Sequence, residues 1–102
     1  MSASIDRIDV YPNVAYLQSY SNKYLSSCSA TFGTYSASST SCSGSDNKVT
    51  CTATFDFGSG FTPNNTELKI TCSGYVVFDV TITCTAQLAG TTTIILTEQS
   101  SS

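Results

Sequence analysis

The side chains of this sequence that could do chemistry are five cysteines, a few carboxylates, and a group of tyrosines and asparagines. The chain contains no histidine, so the Ser–His and Cys–His pairs that activate many nucleophiles cannot be built. Acid–base catalysis would depend on carboxylates such as Asp56 and Asp79, which fall on the polar sides of two alternating stretches and are candidates for a neighbouring pair. Charged residues at such positions are normally solvated. We therefore predict no catalytic residues and a protein that is not an enzyme.

The cysteines are separated by 14, 9, 21 and 12 residues, at Cys28, Cys42, Cys51, Cys72 and Cys84. Zinc sites usually contain closer pairs, so this spacing predicts no metal site and no cofactor. All but Cys42 share the phase of neighbouring apolar residues, which is typical of buried thiols or core disulfides. We expect at least one disulfide, with one thiol left over and the pairing open.

Two features of the sequence indicate different compartments. The cysteine density is typical of an exported protein, whereas residues Met1 to Arg7 lack the basic and apolar regions of a secretory signal. We expect an extracellular or cell-surface location without a recognisable signal peptide, and a cytoplasmic location is the alternative.

Tyrosines and asparagines are concentrated in stretches that we predict to be loops. One candidate glycan-binding set is Tyr20, Asn22 and Tyr24, and a second is Phe61, Asn64 and Asn65 in a Gly-rich turn cluster. An aromatic ring can stack on the C–H face of a sugar while amides bond its hydroxyls, much as Tyr and Asn act at antibody surfaces. We predict metal-free binding of glycans or glycoproteins at these loops. Because Asn64-Asn65-Thr66 also matches the N-glycosylation pattern, the second loop is alternatively one that bears a glycan.

The loops are positioned by predicted strands. Apolar residues occupy every second position of Val76–Leu88, as in a half-buried strand. A matching run ends at Cys72, and Ser73-Gly74 is predicted to close an antiparallel hairpin between the two runs. Further strands are predicted at Ile5–Val10, Cys28–Phe32, Val49–Phe57 and Thr92–Thr97. The small polar segment Ser36–Asp46 is predicted to be a loop.

No stretch has a helical period, and 102 residues are enough for one core. We therefore predict an all-β fold: a single-domain antiparallel β-sandwich, jelly-roll or Greek-key in type, over residues 1–102. Two rows of threonines, Thr50/Thr52/Thr54 and Thr81/Thr83/Thr85, are predicted to line a hydroxyl-bearing face. Such a face is normally solvated, and ice or polymer binding is the alternative.

The charges and apolar runs exclude two classes of partner. A net charge of −3 with four scattered bases offers no nucleic-acid footprint, and no apolar run is long enough to span a bilayer. Useful avidity for glycans would need more than one site, which suggests a homo-oligomer. The alternative function is a structural coat or surface-filament subunit, assembled through Thr92–Thr97 as an uncharged edge strand.

The chain resembles the small slime-mould haemagglutinins in its length, in its Met1-Ser2-Ala3 start, and in Ser/Thr/Tyr/Cys-rich strands such as Val49–Phe57 and Val76–Leu88. That resemblance implies a compact jelly roll, related in fold to the legume-type lectins, and a carbohydrate-binding function. The metal-binding Asp/Asn loop of legume lectins has no recognisable counterpart in this sequence, which is a second reason to expect sugar binding without a metal.

Overall fold

The structure, a computed structural model, describes residues 2–3, 6–12, 25–45, 48–85 and 87–98. These residues form two sheets, ordered β1-β2-β9-β6-β5 and β4-β3-β7-β8. The strands are β1 (Ser2–Ala3), β2 (Arg7–Val10), β3 (Cys28–Phe32), β4 (Tyr35–Ser36), β5 (Ser39–Ser45), β6 (Lys48–Asp56), β7 (Thr66–Cys72), β8 (Tyr75–Ile82) and β9 (Thr91–Thr97). The predicted all-β fold is confirmed for this part of the chain. None of the described residues lies in a helix long and apolar enough to span a membrane.

The alternation of apolar and polar residues along β6 correctly predicts which of its side chains are buried. Val49, Cys51, Ala53 and Phe55 are fully buried, and the threonines between them are only partly covered. Removing apolar side chains from water is the main favourable term in folding, so this face must lie against another layer. The layer is the four-stranded sheet, whose Phe32 ring lies edge-on to Phe55 with the centroids 5.9 Å apart. The two sheets therefore pack face to face around one core.

The β7–β8 hairpin closes where the sequence predicts. Ser73 and Gly74 have φ angles of 51° and 84°, and a two-residue turn with both central residues in this region matches the right-handed twist of the flanking strands. Glycine adopts such angles without a steric penalty. The turn places Cys72 directly opposite Tyr75.

The predicted strand Val76–Leu88 is wrong in its length and in part of its phase. β8 ends at Ile82, and the pairing with β7 shifts between Ile70 and Thr71, so that Val77 is an extra residue between two paired positions. Such a β-bulge turns the side chains beyond it to the other face. Val77 and Phe78 are consequently both buried, whereas Val76 is only half-buried.

Because of this bulge, we expect truncation of Val77 to destabilise the protein more than truncation of Val76, the reverse of what the alternation predicts. We expect Val77→Ala to lower the free energy of unfolding by about 2 kcal/mol, since two buried carbons are lost at roughly 0.8 kcal/mol each with a cavity besides. Val76→Ala should cost less than about 1 kcal/mol. Urea denaturation of both variants measures the difference, and a larger loss at Val76 would contradict the bulge.

The predicted loop Ser36–Asp46 is wrong, because most of it is extended. Residues of β5 pair with β6 along their whole length, from Ser39 opposite Thr54 to Ser45 opposite Lys48. The segment has no apolar alternation because it is the outermost strand of its sheet among the described residues and contributes small side chains to the core margin. A strand of small polar residues without apolar alternation has the same sequence pattern as a loop.

The prediction that Thr92–Thr97 is an edge strand is also wrong. β9 lies inside the five-stranded sheet, antiparallel to β6 on one side and parallel to β2 on the other. Its apolar residues Ile94 and Leu96 are fully buried. Because both of its edges are hydrogen-bonded within the chain, β9 cannot add to the sheet of a neighbouring molecule.

Candidate functional site

Two segments meet at one end of the sandwich and form a surface that we call the loop end, residues 57–65 with 83–85 and 87–90. Phe61 and Leu88 exchange backbone hydrogen bonds of 2.7 Å in both directions. Outside that pair, the Cys84 N–H donates to the Pro63 carbonyl at 3.0 Å, and the Gly90 N–H donates to Gly58 at 3.0 Å. Backbone bonds along the whole contact hold the two segments in one arrangement, so side chains on them are positioned relative to each other.

One glycine allows the two segments to approach closely. Gly60 has a φ of 146°, and a Cβ built there would overlap the side-chain amide of Gln87. A side chain there would displace the flexible Gln87 amide, and L-residues rarely adopt a φ of 146°, so glycine is favoured at this contact. The exposed Gln87 amide thereby belongs to the same surface as the predicted asparagines.

Asn64 and Asn65 lie together on the loop end, as predicted, and both are exposed. The Thr83 hydroxyl donates a 2.6 Å hydrogen bond to Asn65 Oδ1, which fixes the asparagine side chain and directs its NH₂ group away from that bond. Asn65 has a φ of 54°, a left-handed conformation that asparagine tolerates better than most residues. The Asn64 N–H donates to the Thr66 hydroxyl at 3.3 Å. The structure therefore presents two exposed asparagines in succession, with the backbone of Asn64 and the side chain of Asn65 held by hydrogen bonds.

Phe61 has a different position from the one expected of a free stacking ring. It is half-buried, and its centroid lies 5.0 Å from Tyr35, 5.4 Å from Phe57 and 5.6 Å from Phe32. Aromatic pairs at these separations are attractive beyond the area that they bury. The ring is thus packed against the core, and only its outer part is available to a ligand.

The other predicted set, Tyr20, Asn22 and Tyr24, lies outside the described residues. Sequence reasoning missed two residues with relevant chemistry. The sequence predicts Thr83 in a row of strand hydroxyls, whereas its hydrogen bond to Asn65 depends on where β8 ends. Tyr75, with 54% of its surface exposed, lies at the far end of the β7–β8 hairpin from Asn65. Its position beside the Ser73-Gly74 turn was the available signal, because residues flanking a tight turn are commonly exposed.

The carboxylates do not form the pair that the sequence suggested. Asp56 ends β6 in one sheet and accepts a hydrogen bond from the Gly58 N–H at 3.0 Å, whereas Asp79 belongs to β8 in the other sheet. Asp79 instead interacts with Glu67 across the β7–β8 pair. Hydrogen bonding with Asp79 and the repulsion between the two carboxylates raise the pKa of Glu67.

The predicted hydroxyl face is partly right. Thr50, Thr52 and Thr54 share the outer face of the five-stranded sheet, each directly between one residue of β5 and one of β9. Thr50 lies between Ser43 and Thr97, Thr52 lies between Ser41 and Ile95, and Thr54 lies between Ser39 and Thr93. Thr81 belongs to the opposite sheet, and Thr83 follows it outside any strand. The array is therefore broader than predicted but confined to one sheet, and its serines come from β5, the segment predicted to be a loop.

Disulfides join Cys28 to Cys72 and Cys42 to Cys51, which confirms the expectation of at least one bridge. Each links directly opposite residues of neighbouring strands. Cys84 is a buried free thiol. Two disulfides in a domain of this size fit an oxidising compartment.

Comparison with protein-family models, with curated proteins and with solved structures finds no match to this chain. The resemblance to slime-mould haemagglutinins consequently stays a prediction. Any functional conclusion rests on the geometry of the molecule itself.

Proposed function

We propose that this protein binds glycans at the loop end, without a metal ion. The observation that supports this best is the asparagine pair: Asn64 and Asn65 are consecutive and exposed, and the Asn65 side chain is held by Thr83. Side chains that are already ordered lose little entropy when a ligand binds. Each amide offers donors and acceptors to sugar hydroxyls.

Phe61 of the loop end and the neighbouring Tyr35 of β4 supply the second requirement, an aromatic surface. Phe61 and Tyr35 lie against each other with centroids 5.0 Å apart, and both retain partial exposure. In the proposed complex, their outer edges form the floor on which the C–H face of one sugar ring rests. Gln87 borders that surface from the opposing segment.

We further propose a jelly-roll or Greek-key topology, an extracellular or cell-surface location, and assembly into a homo-oligomer. The hairpins β3–β4, β5–β6 and β7–β8 alternate between the sheets along the chain, which favours a jelly-roll or Greek-key topology of the kind found in many lectins. The two disulfides favour an extracellular or cell-surface location, where glycans are abundant. A single shallow site binds weakly, so glycoprotein cross-linking would require a homo-oligomer.

A glycan array tests the proposal directly. We expect the protein to bind a defined subset of glycans equally well with and without EDTA. Asn64→Ala should weaken the affinity about two- to tenfold, because each hydrogen bond contributes about 0.5–1.5 kcal/mol. Asn65→Gly should do the same. Glycine keeps the left-handed backbone of Asn65, so this variant removes the amide without adding strain. Production in a host without N-glycosylation keeps the Asn64 amide unmodified.

Tyr75→Ala is the matched control, since it removes a more exposed aromatic ring from the opposite end of the β7–β8 hairpin. We expect this variant to bind glycans like the parent protein. Loss of binding in Tyr75→Ala with full binding in both asparagine variants would place the site elsewhere. Absence of binding to every glycan would reject the function, and binding abolished by EDTA would reject the metal-free mechanism.

A further inference from the structure

Four of the five cysteines converge at the end of the sandwich opposite the loop end. The strands pair Cys28 with Cys72 in one sheet and Cys42 with Cys51 in the other. The two disulfides face each other across the core, since the Sγ atoms of Cys28, Cys42 and Cys72 all lie within 4.8 Å of one another. Cys51 Sγ is not within 4.8 Å of all three but is covalently bonded to Cys42 Sγ, so it lies beside the group. Spacing along the sequence could not reveal this cluster, because it is assembled by the stacking of two sheets.

We propose that the reduced form of this protein binds one zinc ion through Cys28, Cys42, Cys51 and Cys72. Four thiolates are a preferred ligand set of structural zinc, which they hold tetrahedrally at Zn–S distances of about 2.3 Å. That geometry separates the sulfur atoms by roughly 3.8 Å. Cys42 Sγ already lies within 4.8 Å of Cys28 Sγ and Cys72 Sγ across the core, and the sulfurs within each pair separate when their bond is broken.

The surroundings of the cluster suit a metal ion. Cys51 and Cys72 are fully buried, and Cys28 and Cys42 are half-buried. The inner pair can therefore shield the ion from water while the outer pair leaves it a route of entry. All four residues lie on paired strands, so the ligands are held by the sheets rather than by loops, which limits the entropy lost on binding.

Reduction of both disulfides, followed by zinc binding, converts the oxidised form into the metal-bound form. Each disulfide accepts two electrons and two protons from a dithiol, which is itself oxidised to a disulfide, so both bonds together take four electrons. Zinc then displaces the thiol protons to solvent as four Zn–S bonds form. Oxidation by a disulfide-class oxidant reverses the sequence and releases the ion. One cross-link between the sheets would thereby exist under reducing conditions, and two within-sheet bridges under oxidising ones.

Cobalt(II) is the probe for this site, because tetrahedral cobalt bound to thiolates has visible and charge-transfer bands whose intensity reports the number of sulfur ligands. The full chain is reduced with a phosphine and titrated with Co²⁺ under anaerobic conditions. We expect one cobalt per chain with four thiolate ligands, displaced by an equivalent of Zn²⁺, and no such spectrum from the oxidised protein. Far-UV circular dichroism recorded in parallel should show strand content retained or restored by the metal.

Two single variants separate a folded site from adventitious thiol binding. Cys84 lies at the loop end, where its N–H bonds Pro63, so Cys84→Ser should bind cobalt like the parent. Cys51→Ser should lose the four-thiolate spectrum. In an unstructured chain Cys84 could replace any missing ligand, so a Cys51→Ser variant that keeps four thiolates would overturn the proposal. Failure of the reduced parent to bind one equivalent would overturn it as well.

Discussion

Replacing Phe78 with alanine should lower the free energy of unfolding by about 3–5 kcal/mol, the cost of deleting a fully packed aromatic side chain. Phe78 is completely buried and is paired with Ile70 across the β7–β8 hairpin. Its removal leaves a cavity that the surrounding strands cannot close without breaking their hydrogen bonds. A small domain has only about 5–15 kcal/mol of total stability, so the variant should unfold at much lower urea concentrations.

Thr81→Ala is the control for this loss. Thr81 lies three residues further along the same strand, is exposed and is paired with Glu67. Surface substitutions of this type usually change stability by less than about 0.5 kcal/mol. Similar losses in both variants would mean that β8 does not present Phe78 to the core.

The second large effect concerns the disulfides. Removing the bridge between Cys28 and Cys72 by a double alanine substitution should cost about 4 kcal/mol, and removing the bridge between Cys42 and Cys51 about 2.6 kcal/mol. The difference arises from the unfolded chain, because the first bridge closes a loop of 44 residues and the second a loop of 9. A longer closed loop removes more conformational freedom from the unfolded state.

The two double variants are well matched, since each bridge joins one fully buried cysteine to one half-buried cysteine. Burial alone would therefore give equal losses, and an observed equality would argue against the loop-length mechanism.

Alkylation of the denatured parent without reductant, followed by intact-mass measurement, should detect one thiol, that of Cys84. Five alkylated thiols would show that neither bridge is present.

The sequence predicts correctly those parts of the fold whose conformation depends on residues close together in the chain. Along β6, an apolar residue at every second position is sufficient to identify both the strand and its inner face. The Ser73-Gly74 turn is equally local, because backbone conformation at two residues determines it. Asn64 and Asn65 were identified as exposed loop residues for the same reason.

The errors occur where a position depends on a partner that is distant in sequence. β5 consists of serines and other small residues and is held in place by β6, so nothing in its own composition distinguishes it from a loop. The extra residue at Val77 is a property of the β7–β8 pair rather than of β8 alone. Packing between the sheets likewise decides that Phe61 joins the core and that four widely spaced cysteines form one cluster.

The interior position of β9 has a consequence for synthesis of the protein. Arg7 pairs with Thr93 and Val10 with Leu96, so β2 must wait for a strand that is synthesised much later than itself. Until β9 leaves the ribosome, the edge of β6 that it covers is unpaired and the buried side of the larger sheet is incomplete. Contacts between such distant segments are entropically costly to form and slow the folding of β-proteins. Nascent chains should therefore need protection from aggregation, and a ribosome stalled before Thr91 should present hairpins but no finished domain.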